Sequence, residues 1–137
     1  MEKSEYWQFV IDTINNEVNK TTETEFVIWE ALNSNQEYES LLRRVWAYMD
    51  LMQMDLNVTA LADFFAAKNA DYGDAPIERF GRYGIHVRIF DKIARIKNLD
   101  ANGKAAVTDE SMSDSMRDIV GYCIQAIRAG KVDVGSY

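Results

Sequence analysis

The sequence predicts an all-α protein, with five to six helices in a single compact bundle. Apolar residues recur every three to four positions through most of the 137 residues, and no segment alternates apolar and polar residues as a half-buried strand would. The chain has one proline and seven glycines, too few for a turn-rich all-β domain. Because 47% of the residues are hydrophobic, a chain of this length can bury a core as one domain spanning residues 1–137.

Three acidic helices are predicted in residues 1–58. Ser4 caps the first, and the capping-box pair Thr22 and Glu25 begins the second. The third begins near Glu37. Apolar residues with the helical period face inward in each helix: Trp7, Val10, Ile11, Ile14 and Val18, then Phe26, Trp29 and Leu32, then Tyr38, Leu41, Leu42, Val45, Trp46, Met49 and Met52.

A motif-bearing core is predicted in residues 59–128, followed by a flexible tail over residues 129–137. Thr59 caps the fourth helix, which ends in the turn-forming run 68–74. The inward residues of this helix are Leu61, Phe64 and Phe65. We therefore expect the run 68–74 to lie on a turn.

The fifth predicted helix has an apolar side and a cationic side. It runs from about Ile77 to Lys97, with Pro76 in the first turn, where the missing N–H leaves no helical hydrogen bond unmade. The helical period places Tyr83, Val87, Phe90 and Ala94 on the side predicted to face the core, and Arg88, Lys92 and Arg95 on the cationic side. Gly81 and Gly84 lie near its beginning, where they favour an irregular start.

The sixth predicted helix runs from a Thr108 cap to about Arg128, and Gly130 ends it. Its inward residues are predicted to be Met112, Met116, Ile119, Cys123 and Ile127. Since Cys123 lies on this apolar side, we expect a buried, unreactive thiol.

Several classes of protein are excluded by what the sequence lacks. No window approaches about 18 consecutive apolar residues, so no membrane span is predicted. The N-terminus has no apolar signal-peptide region, which predicts a cytoplasmic protein. A single cysteine excludes an internal disulfide and a cysteine-clustered zinc site. The single histidine, His86, excludes a multi-histidine metal site, and we interpret it as structural.

The net charge of −7 is concentrated at the N-terminal end of the chain. Residues 1–58 carry 11 acids and 4 bases, whereas residues 59–137 carry 11 of each. The overall acidity argues against direct DNA binding. Charges in the second half are sorted by sign, with six bases and one acid in residues 79–97 and four acids and one base in residues 109–118. Two such helices would either attract each other or hold between them a ligand that contacts both positive and negative side chains.

Two basic motifs are candidates for phosphate binding. Lys68 can place a point charge on a phosphate and Tyr72 can offer a stacking face, although the spacing alone is more typical of a helix end and loop. Arg88, Lys92 and Arg95 share one face at i, i+4 and i+7. Because like charges one turn apart repel, their clustering indicates an anionic partner, either the acidic helix or a ligand phosphate.

One acidic motif is a candidate for metal binding. Glu110, Asp114 and Asp118 occupy positions i, i+4 and i+8, and Mg²⁺ takes one or two carboxylates together with water and phosphates. The alternative is structural, since acids in a first helical turn are favoured by the helix dipole. The three acids lie opposite the apolar side, so we expect them to face solvent or a neighbouring subunit.

Read in order, the motifs resemble the nucleotide modification associated domain 1 family. They are KNADYG at 68–73, VRIFDKIARI at 87–96 and DESMSDSMRDIVGY at 109–122. The resemblance covers roughly residues 59–128 and implies an all-helical bacteriophage or prophage protein associated with modified-nucleotide metabolism. Such a protein would act in the cytoplasm of the host cell.

A looser resemblance extends to the all-helical nucleoside triphosphate pyrophosphohydrolases of the MazG and dimeric dUTPase type. Those enzymes hold Mg²⁺ with a Glu-x-x-Glu motif followed by Glu-x-x-Asp. Asp118 to Tyr122 is similar to the end of the second motif, while Ser115 stands where its first acid would be. The resemblance implies metal-assisted attack of water on a nucleotide phosphoanhydride.

Together these features predict a phage-type nucleotide-handling protein, with Mg²⁺-dependent hydrolysis as its reaction if it is an enzyme. The predicted substrate-binding residues are Lys68, Asp71, Tyr72, Arg88, Lys92 and Arg95, and the predicted Mg²⁺ ligands are Asp91, Glu110, Asp114 and Asp118. One alternative is a non-catalytic protein that binds or sequesters a nucleotide. Another is an acidic interaction module that inhibits a host nucleic-acid-binding protein. The many aromatic residues predict a homo-oligomer, a dimer by preference.

Overall fold

A computed structural model describes residues 2–18, 38–72, 75–101 and 110–132, with side chains for 2–18, 38–70, 84–98 and 113–130. These residues form five helices and no strand: α1 (Lys3–Val18), α2 (Tyr38–Leu51), α3 (Val58–Tyr72), α4 (Ala75–Ala101) and α5 (Glu110–Val132). The all-α prediction is confirmed. The predicted helix that begins at Thr22 and the Thr108 cap lie outside the described residues. None of the helices just given is long and apolar enough to cross a bilayer.

The buried side chains of all five helices form one hydrophobic cluster. Helix α5 lies at its centre, because it packs against α4 and also against α2, and its residues 126–129 are all buried. Helix α1 packs against α3 and, less extensively, against α2. The Trp7 indole N–H donates a 2.8 Å hydrogen bond to Asp63 Oδ1, which ties α1 to the outer side of α3. Helix α3 is thus linked to α5 mainly through α1 and α2, while α4 packs directly on α5.

The N-terminal caps of two helices differ from the prediction. Asn57, not Thr59, caps α3: its Oδ1 accepts a 2.9 Å hydrogen bond from the Ala60 N–H, and its carbonyl accepts one from Leu61. Asn and Thr are both favoured N-cap residues, so the residue types alone could not indicate which of the two caps α3. Helix α1 begins at Lys3, one residue before the predicted cap Ser4.

Three helices continue beyond their predicted ends. Residues 68–72 form the last turn of α3, so the predicted turn there is wrong. Helix α4 extends to Ala101, past Lys97, and is helical from Ala75 through Gly81 and Gly84. Helix α5 runs through Gly130 to Val132, into the predicted tail. A helical glycine costs about 1 kcal/mol relative to alanine, and the burial of residues 126–129 just before Gly130 favours continuation of the helix.

Helix α4 faces the core with a different side from the one predicted. Its buried residues are Ile85, Ile89, Ile93 and Ile96. Val87 and Phe90, predicted to be inward, are 43% and 50% exposed. Both sets repeat with the helical period, and only one of them can pack against α5. The exposed pair is of the kind that the predicted homo-oligomer would cover, and that oligomer stays a prediction.

Cys123 lies within the core and is fully buried. Burial raises the pKa of its thiol far above the usual range, and the negative charge of Glu39 adds to that shift. The thiolate is the reactive form of cysteine, so this residue is chemically inert in the folded protein. The prediction of a structural thiol is confirmed.

Candidate functional site

Lys68, Lys92 and Asp118 meet where α3, α4 and α5 converge. The Lys92 ammonium lies 2.9 Å from Asp118 Oδ2, and the Lys68 ammonium lies 3.6 Å from Asp118 Oδ1. The Asp118 side chain is 20% exposed, so water screens these ion pairs less than it screens pairs on the open surface. We call this cluster the Lys68–Asp118–Lys92 bridge. At this point the basic helix and the acidic helix attract each other directly.

A groove between α4 and α5 collects most of the predicted phosphate-binding cations. It has a volume of about 640 Å³, and its described lining residues are Arg88, Asp91, Lys92, Ala94, Arg95, Asn98 and Tyr122. Among the described residues, neither Arg88 nor Arg95 forms an ion pair, and both are exposed. We call it the cationic groove. Three bases against one acid make it a place that attracts anions.

The acidic motif on α5 is largely neutralised by cations of the same chain. Asp114 accepts a 2.6 Å hydrogen bond from the Arg117 guanidinium, and Asp118 belongs to the Lys68–Asp118–Lys92 bridge. Asp118 thus faces α3 and α4 of its own chain, rather than solvent as predicted. Within the described parts of the chain, no group of three or more Asp, Glu, His or Cys side chains could hold a metal ion. The Glu110 side chain lies outside those parts.

A second groove shares Lys68 and Asp118 with the Lys68–Asp118–Lys92 bridge and lies along α3. It has a volume of about 520 Å³ and is lined by Asp55, Asn57, Ala60, Leu61, Phe64, Lys68, Asp114, Arg117 and Asp118. We call it the Phe64 groove, because the Phe64 side chain is 47% exposed there and the Lys68 ammonium lies 4.7 Å from its ring centroid.

Phe64 was predicted to face the core, and that prediction is wrong, because its side chain is exposed. Its position next to Phe65 gave no signal, because neighbouring helical residues point about 100° apart and can both be buried, as Leu41 and Leu42 are. Phe65 is the buried member of the pair.

Residues 68–128 match the family model described as nucleotide modification associated domain 1. This segment is therefore similar to that domain. The resemblance carried by the three motifs is therefore confirmed, while the looser resemblance to pyrophosphohydrolases stays a prediction. Comparison with curated proteins and with solved structures finds no match to the chain.

The segment that matches this domain contains the full Lys68–Asp118–Lys92 bridge and the described lining of the cationic groove. The structure brings four predicted residues of the domain together in that groove, Arg88, Lys92, Arg95 and Asp91. Asp71 and Tyr72 lie in the last turn of α3, and their side chains are outside the described residues, so their roles stay predictions. Asp55, Asn57 and Phe64 precede the domain and nevertheless line the adjacent groove.

Proposed function

We propose that this protein binds a nucleotide and that the cationic groove holds its phosphates. The observation that carries the proposal is the pair of exposed arginines, Arg88 and Arg95, which form no ion pair among the described residues of a chain with a net charge of −7. A guanidinium offers a planar set of N–H donors that matches the oxygens of a phosphate. The description of the matching family supports a nucleotide as the source of that phosphate.

Lys92 would act beside the arginines as a prepositioned cation. Its ammonium is held at the wall of the groove by Asp118, at 2.9 Å. A side chain that is already ordered loses less conformational entropy when a ligand arrives. Tyr122 and Asn98 line the same groove and add uncharged hydrogen-bond donors for phosphate or sugar oxygens.

Removing the two arginine charges should sharply weaken nucleotide binding. We expect the Arg88→Gln/Arg95→Gln protein to bind deoxynucleoside triphosphates about 100-fold more weakly, because each charge-assisted hydrogen bond contributes about 1.5–3 kcal/mol. Titration calorimetry with the four triphosphates and with pyrophosphate measures the change. The matched control, Lys3→Gln/Lys97→Gln, removes the same charge at two exposed positions outside the groove and should bind like wild type. Equal affinities in all three proteins would refute the proposal.

Asp91 is the proposed ligand for Mg²⁺. Asp114 and Asp118 fit a metal poorly, because each would first have to leave a cation that it already contacts. Asp91 is exposed, lines the cationic groove and forms no ion pair with a described residue. Protein-bound Mg²⁺ often uses one carboxylate together with substrate phosphates. When bound there, the ion would offset phosphate charge.

The dependence of binding on Mg²⁺ should disappear when Asp91 is changed. We expect Mg²⁺ to strengthen triphosphate binding to the wild type and to have little effect on Asp91→Asn, which keeps the side-chain shape and removes the anionic ligand. Thermal-shift measurements with and without Mg²⁺ give the comparison, since a ligand of the native state raises stability. Asp114→Asn is the control and should respond like wild type. If Asp91→Asn keeps the full Mg²⁺ effect, the ion binds elsewhere.

Hydrolysis is tested in the same mixtures by separating substrate from product. In the described lining of the cationic groove Asp91 is the sole carboxylate, so hydrolysis assisted by a Mg²⁺ ion held there would depend on it. Release of a phosphate or pyrophosphate that requires Asp91 would make the protein a nucleotide hydrolase. Binding without product would make it a nucleotide-sequestering protein.

A further inference from the structure

We propose that the Phe64 groove is the subsite for the base of the bound nucleotide. The inference rests on the proposed function, because it takes the cationic groove as the phosphate subsite. It assigns a role to residues that precede the nucleotide modification associated domain 1 and that no motif had singled out. The nucleotide would lie across the Lys68–Asp118–Lys92 bridge, with its phosphates on one side and its base on the other.

The first argument is the continuity between the two grooves. The Lys68 ammonium is 4.7 Å from the centre of the Phe64 ring and 3.6 Å from Asp118, and the other Asp118 oxygen is 2.9 Å from Lys92. Lys68 therefore touches the aromatic ring on one side and the shared carboxylate on the other. A single ligand with an aromatic end and an anionic end matches this sequence of contacts.

The second argument is the exposure of Phe64. Although Lys68 covers part of the ring, 47% of the side chain is accessible in the groove. The ring also leans on Phe65, at 5.7 Å between centroids and an angle of 59°, and Phe65 is buried in the core. A ring supported in this way offers a fixed apolar surface, and nucleobases of every type stack on such surfaces.

The third argument is the polar rim of the Phe64 groove. Asn57 Oδ1 accepts the hydrogen bond that caps α3, which fixes the amide and leaves its two N–H donors for another partner. The exposed Asp55 carboxylate lies two residues away in the same lining and can only accept. Base edges combine donors and acceptors, so this rim suits a base better than it suits a purely apolar side chain.

The test compares ligands with and without a base on variants of Phe64. Phe64→Ala and Phe64→Leu should bind deoxynucleoside triphosphates about tenfold more weakly or worse, which is the range of one base–aromatic stack, with leucine the milder change. Their affinity for pyrophosphate, which has no base, should equal that of the wild type. Leu51→Ala removes another exposed apolar side chain, 70% exposed and outside both grooves, and should change neither affinity.

Each outcome of these titrations is decisive. A loss confined to the base-bearing ligands supports the inference. Wild-type affinity for triphosphates in both Phe64 variants overturns it, and so does an equal loss for triphosphate and pyrophosphate, which would mean a structural role or a protein contact. Circular dichroism of the Phe64 variants should match that of the wild type, which would show that the fold tolerates the change. If the wild type binds no nucleotide, the proposed function fails first, and this inference fails with it.

Discussion

The Arg43→Met protein is expected to be less stable than the wild type by about 3 kcal/mol, because the change removes the Arg43 cation from a buried carboxylate. Arg43 Nη1 lies 2.5 Å from Glu17 Oε1 and joins α2 to α1, and the Glu17 side chain is 5% exposed. The Asn16 amide still donates to Glu17 Oε2 at 3.1 Å, so we expect a value at the low end of the range for broken buried pairs. Urea unfolding followed by circular dichroism measures the free energy of unfolding.

Two further variants make this prediction specific to the buried pair. Glu17→Met/Arg43→Met removes both charges and should recover most of the lost stability, since apolar replacement of a whole buried pair is often neutral. Arg117→Met breaks the Arg117–Asp114 pair, whose side chains are 41% and 56% exposed, and should cost about 0.5 kcal/mol or less. A double variant as unstable as Arg43→Met would show that lost packing, rather than the lost Arg43–Glu17 ion pair, sets the cost.

The Gly121→Leu protein should also lose stability, by about 3 kcal/mol, the upper end of the range for overpacking a core. A Cβ atom on Gly121 would lie 2.8 Å from Cε1 of Phe65, closer than a van der Waals contact allows. Phe65 is 5% exposed and cannot simply swing into solvent, so α3 and α5 would have to separate. Thermal and urea unfolding measure the loss.

The matched control for this substitution is Gly130→Leu on the same helix. Gly130 is helical and exposed, so a side chain there replaces a poor helix former without meeting the core. We expect stability to be unchanged or raised by up to about 1 kcal/mol. Equal effects at the two glycines would argue against the Phe65 contact. The separation of α3 from α5 should also weaken nucleotide binding in Gly121→Leu, because those helices carry Lys68 and Asp118.

The fold was predictable wherever a helix has one apolar side. In α2 and α5 the predicted inward residues that the structure describes are buried or half-buried, because no competing stripe exists. Helix α4 was not predictable in this way. Ile89 and Phe90 each belong to a complete apolar stripe of α4. Which stripe is buried depends on how α5 packs against α4, and the periodicity of α4 alone does not indicate this.

For the candidate site, the sequence predicted which residues share one face of a helix, but not which residues of different helices contact each other. The spacing of Arg88, Lys92 and Arg95 correctly placed three cations in one groove, since helical geometry alone decides it. The contact of Lys92 with Asp118 depends on the relative rotation of α4 and α5, and the pairing of Asp118 with Lys68 depends on α3 as well. Residues far apart in sequence meet there through packing, which local patterns do not encode.

The shared carboxylate of Asp118 has a consequence for selectivity. It serves the two lysines as an internal counterion, so an arriving anion must compete with a group that is already in place and only partly exposed. Singly charged anions such as chloride would gain little by the exchange, because they bring no more charge than the carboxylate that they displace. A multiply charged phosphate group gains more from the lysines than the carboxylate does. Under the proposed function, Asp118 would therefore make the two lysines favour polyphosphates over monovalent anions.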